Sequence, residues 1–213
     1  MKLLGKKLDF IIIRHFLLKE FSLKEIVVLE ILWYLSKYNK NVFPESETYI
    51  HKLSGISRGT IRKAKEKFGK YGFAKCEDKK FYFLADFESR IEVLKEKFIF
   101  NLPSEVERDK AREKPTYTMY FFSIREKYDL SEIEYCFLDT HIGIFSKKEF
   151  EKSPKKYLEK TLGIHNTTYY EIRAKLIIKK IFIDCYKNSD FSKIDDKVID
   201  VFIETKNCSK AEE

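Results

Sequence analysis

The stretch YIHKLSGISRGTIRKAKEKFGKYGF, residues 49–73, decides how this chain folds. Gly55 stands between two segments with helical patterns, and Ser57 is a residue type that caps the helix after it. In that second helix, apolar residues recur at spacings of three and four, as on a buried helix face. These inward positions are Ile61, Ala64 and Phe68. The stretch therefore predicts two short helices joined by a tight turn.

The outward face of the second helix is mostly basic. Its positions are Arg58, Gly59, Arg62, Lys63 and Glu66, with Lys67 at the edge. Two helices joined by a glycine turn, the second with a basic outward face, are typical of proteins that reach into the DNA major groove. Arg58 and Arg62 suit bidentate contacts to guanine. The alternative is an ordinary solvated helix, and we favour DNA contact.

Net charge points to a polyanionic partner. The chain of 213 residues carries a formal charge of +8, and residues 1–86 hold the whole excess, with 18 basic and 10 acidic side chains. Residues 115–213 are neutral, although residues 147–187 contain 11 basic and 5 acidic groups. A positive field of this kind favours a polyanionic partner, such as nucleic acid, over weakly acidic or neutral partners. The length allows two small domains.

The cysteines and histidines indicate neither a disulfide framework nor a reactive centre. Cys76, Cys136, Cys185 and Cys208 lie far apart, with no CxxC pair and no histidine at zinc-ligand spacing. Without a signal peptide, we expect a reducing, cytoplasmic compartment. No phosphate-binding loop or catalytic triad pattern occurs, so we expect no cofactor, no metal and no enzymatic activity. The apolar run at residues 10–18 is too short to span a membrane.

The segments before the opening stretch predict a strand and a core helix. Residues 8–18 are β-branched and aromatic, which favours an extended segment. Ser22 and Glu25 have the spacing of a capping box, which predicts a helix that begins there. Residues 42–44 predict a short extended piece, and Pro44 suits the start of the next helix, which runs to about Leu53.

The segments after the opening stretch predict a hairpin and a linker. Residues 73–76 and 81–84 form strands around a turn at 77–80, and this hairpin carries Lys75, Lys79 and Lys80. A hairpin at this place can lie on DNA phosphates while the helix reads bases. Residues 87–98 predict a connecting helix, and the charged residues 101–115 predict an exposed connector that is helical in part.

The pattern then recurs. Residues 157–182, YLEKTLGIHNTTYYEIRAKLIIKKIF, match the opening stretch at an offset of 108, and residues 117–133 match residues 10–26 at an offset of 107. A register kept over about sixty residues is typical of an internal repeat. The chain is therefore predicted to be a duplicated module.

The second copy differs from the first in its outward residues. His165 replaces the capping serine, so we expect capping by Asn166, Thr167 or Thr168, and Lys180 replaces Gly72, so we expect a different joint between helix and strand. A hairpin over residues 181–190 would carry Lys187, and residues 195–206 would form a closing helix or an oligomer contact. The expected outward set is Asn166, Thr167, Tyr170, Glu171 and Lys175, with Arg173 on a flank.

The first half resembles the winged helix-turn-helix domains of phage and plasmid replication proteins. FPESETYIHKLSGISRGTIRKAKEKFGKYGF, residues 43–73, carries the likeness in its proline, its GIS turn, its Thr-Ile pair and its closing glycine. Two such modules resemble the tandem architecture of plasmid replication initiators. The expected fold is mainly α with small β-hairpins (α+β), as two tandem winged-helix domains from an internal duplication. The expected boundaries are 1–86 for the first domain, 87–115 for the linker and 116–213 for the second domain with its tail.

The resemblance implies specific binding to double-stranded DNA, as a replication initiator or regulator of a plasmid or phage. A transcriptional repressor is an alternative, and so is a protein-interaction protein, such as a phage inhibitor, whose winged helices no longer bind DNA. Partners other than DNA would be a second copy or replication and host proteins. The predicted DNA-binding residues are Ser57, Arg58, Thr60, Arg62, Lys63, Lys67, Lys75, Lys79, Lys80, Asn166, Thr167, Thr168, Tyr170, Arg173, Lys175 and Lys187.

Overall fold

The computed structural model describes residues 8–38, 42–44, 47–77, 80–113, 116–146, 154–185 and 192–210. The protein is mainly helical with small antiparallel sheets, as the sequence predicts. It divides into two compact units, Met1–Tyr117 and Thr118–Glu213. In the described part of the chain, no helix has the length and apolar character needed to cross a membrane.

Unit 1 begins with a strand and its core helix. Strand β1 (Phe10–Arg14) leads into a 3-10 helix (His15–Lys19), and helix α1 (Leu23–Tyr38) follows. The predicted capping box is confirmed: Ser22 N donates to Glu25 Oε2 at 2.7 Å, and Glu25 N donates to Ser22 Oγ at 3.4 Å. The capped helix forms the centre of the core, with buried residues Ile26, Val27, Val28, Leu29, Ile31, Leu32 and Leu35.

The opening stretch forms the two predicted helices. Strand β2 (Val42–Pro44) precedes helix α2 (Glu47–Ser54), and helix α3 (Arg58–Lys70) follows after a three-residue turn. Pro44 belongs to the strand and does not start the helix, because its backbone pairs with Lys80 across the sheet. The inward face of α3 is as predicted, since Ile61, Ala64 and Phe68 are all fully buried.

A three-stranded antiparallel sheet follows α3. Strands β3 (Ala74–Glu77) and β4 (Lys80–Phe83) form the predicted hairpin, and β2 pairs with the other edge of β4. Phe81 lies opposite both Cys76 of β3 and Phe43 of β2. The third strand was not predicted as part of this sheet, because it pairs with residues almost 40 positions away.

Helix α4 (Phe87–Phe100) is packed into unit 1 rather than standing apart as a linker. The Phe87 ring lies 4.4 Å from the Phe83 ring and 5.4 Å from the rings of Trp33 and Phe73, measured between centroids. Helix α5 (Glu105–Glu113) has no buried residue, as expected for a charged connector.

The second half has a similar order of elements, except that positions 150–152, which would correspond to β2, lie outside the described residues. Its elements are β5 (Tyr117–Phe121), α6 (Phe122–Lys127), α7 (Glu132–Ser146), α8 (Pro154–Leu162), α9 (Asn166–Ile178), β6 (Phe182–Cys185), β7 (Ser192–Ile194) and α10 (Asp196–Lys210). Strands β6 and β7 pair as an antiparallel hairpin. The predicted turn of that hairpin, with Lys187, lies outside the described residues.

Tyrosine and phenylalanine rings fill the core of unit 2. Tyr135 donates its hydroxyl to Met119 O at 3.0 Å and accepts the Phe121 N–H at 3.1 Å, so its polar end is satisfied. The Tyr135 ring lies 5.4 Å from the ring of Phe202, a fully buried residue of α10. Helix α10 therefore helps to close this core, which is one of the two expectations for residues 195–206.

The offset between the two halves differs from the prediction at the core helix. Ser131 and Glu134 form the capping box of α7, with Ser131 N donating to Glu134 Oε2 at 2.8 Å. They lie 109 positions after Ser22 and Glu25, whereas an offset of 107 had been predicted through this region. The reason is the connector after the strand, which has five residues in the 3-10 helix and six in α6, followed by Asp129 at φ 47°.

The joint between helix and hairpin is the same in both halves, contrary to expectation. Gly72 has φ 68° and Lys180, 108 positions later, has φ 58°, so both adopt the left-handed conformation. The preceding turns correspond too: Gly55 has φ 73° and Gly163 has φ 66°. A lysine at such a φ is strained relative to glycine, yet the chain keeps the geometry.

Candidate nucleic-acid interface

The turn between α2 and α3 is fixed by local hydrogen bonds. Gly55 N donates to His51 O at 2.8 Å, which closes the end of α2. The buried Ser54 hydroxyl donates to Ile50 O at 2.7 Å and accepts the Ile56 N–H at 3.2 Å. His51 Nδ1 lies 2.9 Å from Ile56 O, so this nitrogen carries a proton. These bonds hold α3 at a defined angle to α2.

The first turn of α3 is capped as predicted. Ser57 Oγ accepts the Thr60 N–H at 3.2 Å and lies 2.9 Å from Thr60 Oγ1. Both hydroxyls, which the sequence suggested for DNA contact, therefore take part in the cap. Ser57 is exposed and Thr60 is half-buried. Their hydrogen bonds fix the start of α3, whose first residue is Arg58.

The exposed face of α3 carries the cations that the sequence placed there. Arg58 and Lys63 are exposed and make no ion pair with any residue in the described ranges. Arg62 is 66% exposed, and its Nη2 lies 3.0 Å from Glu47 Oε2 on α2. This pair links the two helices across the turn. The face therefore presents guanidinium and ammonium groups to solvent from one rigid helix.

Lys67 does not join this face. Its Nζ donates to Glu20 O at 2.8 Å and to Glu25 Oε2 at 2.9 Å, and it lies 4.9 Å from the Phe21 ring centroid. The prediction that Lys67 binds DNA is not supported by its position, because the ammonium is already engaged inside unit 1. Lys67 therefore anchors α3 to the capping box of α1.

Acidic groups at this anchor have perturbed pKa values. Burial acts to raise the pKa of the Glu25 carboxyl, but hydrogen bonds from Lys67 and Ser22 outweigh it and lower the pKa below its usual value. Hydrogen bonds from Tyr71 and Lys97 lower the pKa of Glu20. Both carboxylates therefore stay ionised at neutral pH, which keeps the Lys67 contacts intact.

The hairpin contributes fewer free cations than expected. Lys75 is exposed, but its Nζ lies 3.0 Å from Glu77 Oε1 on the same strand. Lys80 is exposed and opposite Glu77 in the strand register. Lys79 lies outside the described residues. Exposed ion pairs of this kind are weak, so Lys75 remains available to a phosphate.

Unit 2 presents a different face at the same place. Asn166, Thr167, Tyr170 and Lys175 are exposed, and Thr168 is half-buried. Arg173 is buried, with only 9% of its surface exposed, so it cannot reach DNA as predicted. It lies at the edge of the inward face of α9, one turn after the buried Tyr169.

Capping in α9 also differs from the prediction. His165 occupies the cap position with an extended backbone, and its side chain makes no cap hydrogen bond. Asn166, Thr167 and Thr168 lie within the helix itself, so their side chains cannot replace it. A capping residue must precede the first helical turn to accept its N–H groups.

Two interhelical pairs were missed at the sequence level. Glu47 holds Arg62 in unit 1, and Lys155 lies over Tyr170 in unit 2, with its Nζ 4.7 Å from the ring centroid and 3.3 Å from the hydroxyl. Lys155 and Tyr170 lie 108 positions after Glu47 and Arg62. The offset of the repeat predicts that the two pairs occupy equivalent positions. Neither Glu47 nor Lys155 alone, however, indicates that it contacts the following helix.

Among the described residues, no group of three histidine, cysteine, aspartate or glutamate side chains could hold a metal ion. Comparison of the chain with protein-family models, curated proteins and solved structures found no match. The function is therefore argued from the geometry of α3 and its surroundings.

Proposed function

We propose that the protein binds double-stranded DNA specifically, with α3 of unit 1 as the helix that enters the major groove. The observation that carries this proposal is the face of α3, where Arg58 and Lys63 are exposed without an ion pair in the described part of the chain. Cations on a helix that a turn and a cap hold in place suit phosphates and base edges.

We further propose that both units are winged helices that arose by internal duplication. The support is that backbone hydrogen bonds recur at the same offset in both units, which unrelated folds would not be expected to share. Phe73 N donates to Phe68 O at 2.9 Å, and Ile181 N donates to Leu176 O at 2.9 Å, again 108 positions apart. The order strand, short helix, core helix, two helices, hairpin and closing helix is also common to both units, apart from β2 of unit 1, whose corresponding positions lie outside the described residues.

The basic surface gives the proposal its electrostatic basis. Residues 1–86 carry the whole charge excess of +8, so the unit that holds α3 is also the positive one. Each lysine or arginine that contacts a phosphate releases a counterion, which makes affinity fall with salt. Bidentate arginine contacts to guanine would add about 1–3 kcal/mol of discrimination each. Arg58 and Arg62 are the residues proposed for that role.

The biological role that we propose is initiation or regulation of replication for a plasmid or phage, in the cytoplasm. It rests on the resemblance of residues 43–73 to the domains of such proteins. Binding sites repeated beside the gene would favour initiation. A single site overlapping the gene's own promoter would favour a transcriptional repressor instead.

Selection from a random duplex library tests specific binding. We expect enrichment of a short motif by the full chain, with affinity that falls as salt rises. Changing Arg58 and Arg62 together to Ala should abolish the sequence preference more than the overall affinity. Absence of any enriched motif would refute the proposal. An unchanged motif in the double variant would show that α3 does not read the site.

A further inference from the structure

The outward face of α9 is apolar where that of α3 is basic. Ile178 is 79% exposed, Tyr170 46% and Ile177 42%. The residues 108 positions earlier in α3 are Lys70, Arg62 and Gly69. Large apolar side chains clustered on a solvent-facing helix mark an interaction surface more often than an ordinary one. At these positions unit 2 has apolar or aromatic side chains in place of the Lys70 and Arg62 of α3, although Lys175 is exposed beside them and Lys155 of α8 donates to the Tyr170 hydroxyl at 3.3 Å.

Two opposite charges flank the apolar stripe. Glu171 and Lys175 are exposed, and neither makes an ion pair with any residue of the described segments. Ala174, which has a small side chain and is also exposed, lies within the stripe beside them. A small residue at the middle of a helix face permits another helix to approach closely. The face therefore has apolar groups, a close-approach point and an unmatched charge of each sign.

These residues are self-complementary under a twofold axis. Each residue advances an α-helix by 100° and 1.5 Å, so positions 170, 174, 177 and 178 lie along one stripe, with 171 and 175 together on one side of it. A twofold axis that crosses α9 near Ala174 sets two copies of the helix antiparallel. Tyr170 then faces Ile177 of the second copy, and Glu171 faces Lys175 of the second copy. The same contacts recur on the other side of the axis.

We propose that the α9 face binds a second copy of this chain and forms a twofold homodimer. The charge complementarity of Glu171 and Lys175 under that symmetry favours a second copy over an unrelated partner. The contact between two helices of 13 residues is smaller than a standard stable interface, so the dimer is weak, with a micromolar dissociation constant. The dimer contains two copies of α3, one from each chain, which suits a DNA site made of two related halves.

Analytical ultracentrifugation of the full chain without DNA tests the dimer. The weight-average mass should rise from 25.5 kDa toward twice that value as concentration increases through the micromolar range. Ile178→Glu should weaken dimerisation by about tenfold or more, because it places an unpaired carboxylate in the contact. Val93→Glu is the matched control: Val93 is 66% exposed on α4, and its substitution should leave dimerisation unchanged.

Charge reversal tests the proposed register. Glu171→Lys and Lys175→Glu should each weaken dimerisation, because each places two pairs of like charges in every dimer. The combined variant should restore it toward the wild-type strength. A chain that stays monomeric up to about 1 mM, which corresponds to only about 4 kcal/mol of binding, would overturn the proposal. So would an Ile178→Glu variant that dimerises as well as Val93→Glu. Neither result bears on α3, because no DNA is present.

Discussion

Glu30 is the most perturbed carboxyl of unit 1, and its setting makes it sensitive to pH. The side chain is buried and forms an ion pair with Arg14, whose guanidinium lies 4.5 Å from the Trp33 ring centroid. Burial raises the pKa of Glu30 to about 7, against the opposing attraction of Arg14. A carboxyl that titrates near neutrality inside a core links folding to proton uptake.

The contribution of Glu30 to stability should therefore fall with rising pH through the window of this group, whereas buried His15, whose pKa burial lowers to about 4, contributes with the opposite sign. The unfolded carboxyl ionises near its usual pKa of 4.5 and the folded one near 7, so the folded state holds more protons between these values. The stabilisation is fully present below about pH 4.5 and is lost by about pH 7. Glu30→Gln should remove this contribution, on the order of 2–3 kcal/mol.

Urea unfolding of wild type and Glu30→Gln at several pH values between 5 and 8 would measure that difference. The wild type should lose stability relative to the variant as pH rises. Glu88→Gln, an exposed carboxyl on α4, is the matched control and should follow the wild type. Parallel curves for Glu30→Gln and the wild type would show that this carboxyl does not govern the pH dependence.

At the level of elements, a lysine on α3 in unit 1, and one directly after α9 in unit 2, contacts the capping box of the core helix. Lys67 Nζ contacts Glu20 O and Glu25, and Lys179 Nζ contacts Asp129 O and Glu134, the latter at 3.0 Å. A lysine therefore contacts the capping box in both halves, although Lys67 and Lys179 do not occupy equivalent positions of the repeat.

Lys67→Met should cost about 1–2 kcal/mol of stability, because it removes a half-buried charged donor from two acceptors. The apolar stem is kept, so the loss is that of the ammonium group alone. Lys63→Met, on the exposed face of the same helix, should leave thermal unfolding nearly unchanged. Equal melting temperatures for the two variants would contradict the anchor role of Lys67.

Helix caps provide a second comparison between the units. Ser57→Ala should destabilise the protein by about 1 kcal/mol, because the Thr60 N–H loses its acceptor. His165→Ser should stabilise it by a similar amount, because the uncapped start of α9 gains an acceptor. Calorimetry of both variants would measure the shifts. A loss of stability on His165→Ser would mean that the histidine serves another structural purpose.

Local signals in the sequence predicted most elements but not their distant partners. The capping box at Ser22 and Glu25 and the inward positions of α3 follow from residue types at fixed spacing, and both are confirmed. The partners of Lys67 lie more than 40 positions away, so no local pattern shows that its ammonium is engaged. Arg173 is a second case. A charged residue beside an apolar face is predicted to be exposed, but the Arg173 side chain is buried.

The sheet shows the same limit. The hairpin of residues 74–83 was predicted from its alternation and turn, whereas β2 joins it by pairing with β4 across the intervening helices. Register between strands that are distant in sequence depends on how the helices pack. Residues 42–44 are extended, as their sequence predicts, but their pairing with β4 is not predicted, and the next helix begins at Glu47 rather than at Pro44.

At the scale of the whole molecule, two units share an order of elements but differ in their exposed faces. Unit 1 carries basic residues on α3, and unit 2 carries apolar ones at the corresponding positions of α9. We infer a division of roles, with DNA contact in the first unit and self-association in the second. The charge distribution supports this division, since residues 115–213 have no net charge.

The central claim is that α3 contacts DNA, and a charge-matched comparison tests it most directly. Arg58→Ala with Lys63→Ala removes two cations from α3, and Lys110→Ala with Arg112→Ala removes two exposed cations from α5. Affinity for the selected duplex would be measured across a range of salt concentrations. The α3 variant should bind at least about tenfold more weakly, with a salt slope smaller by about two, while the α5 variant binds like the wild type. Equal losses in both variants would contradict the account, because they would show attraction by net charge alone.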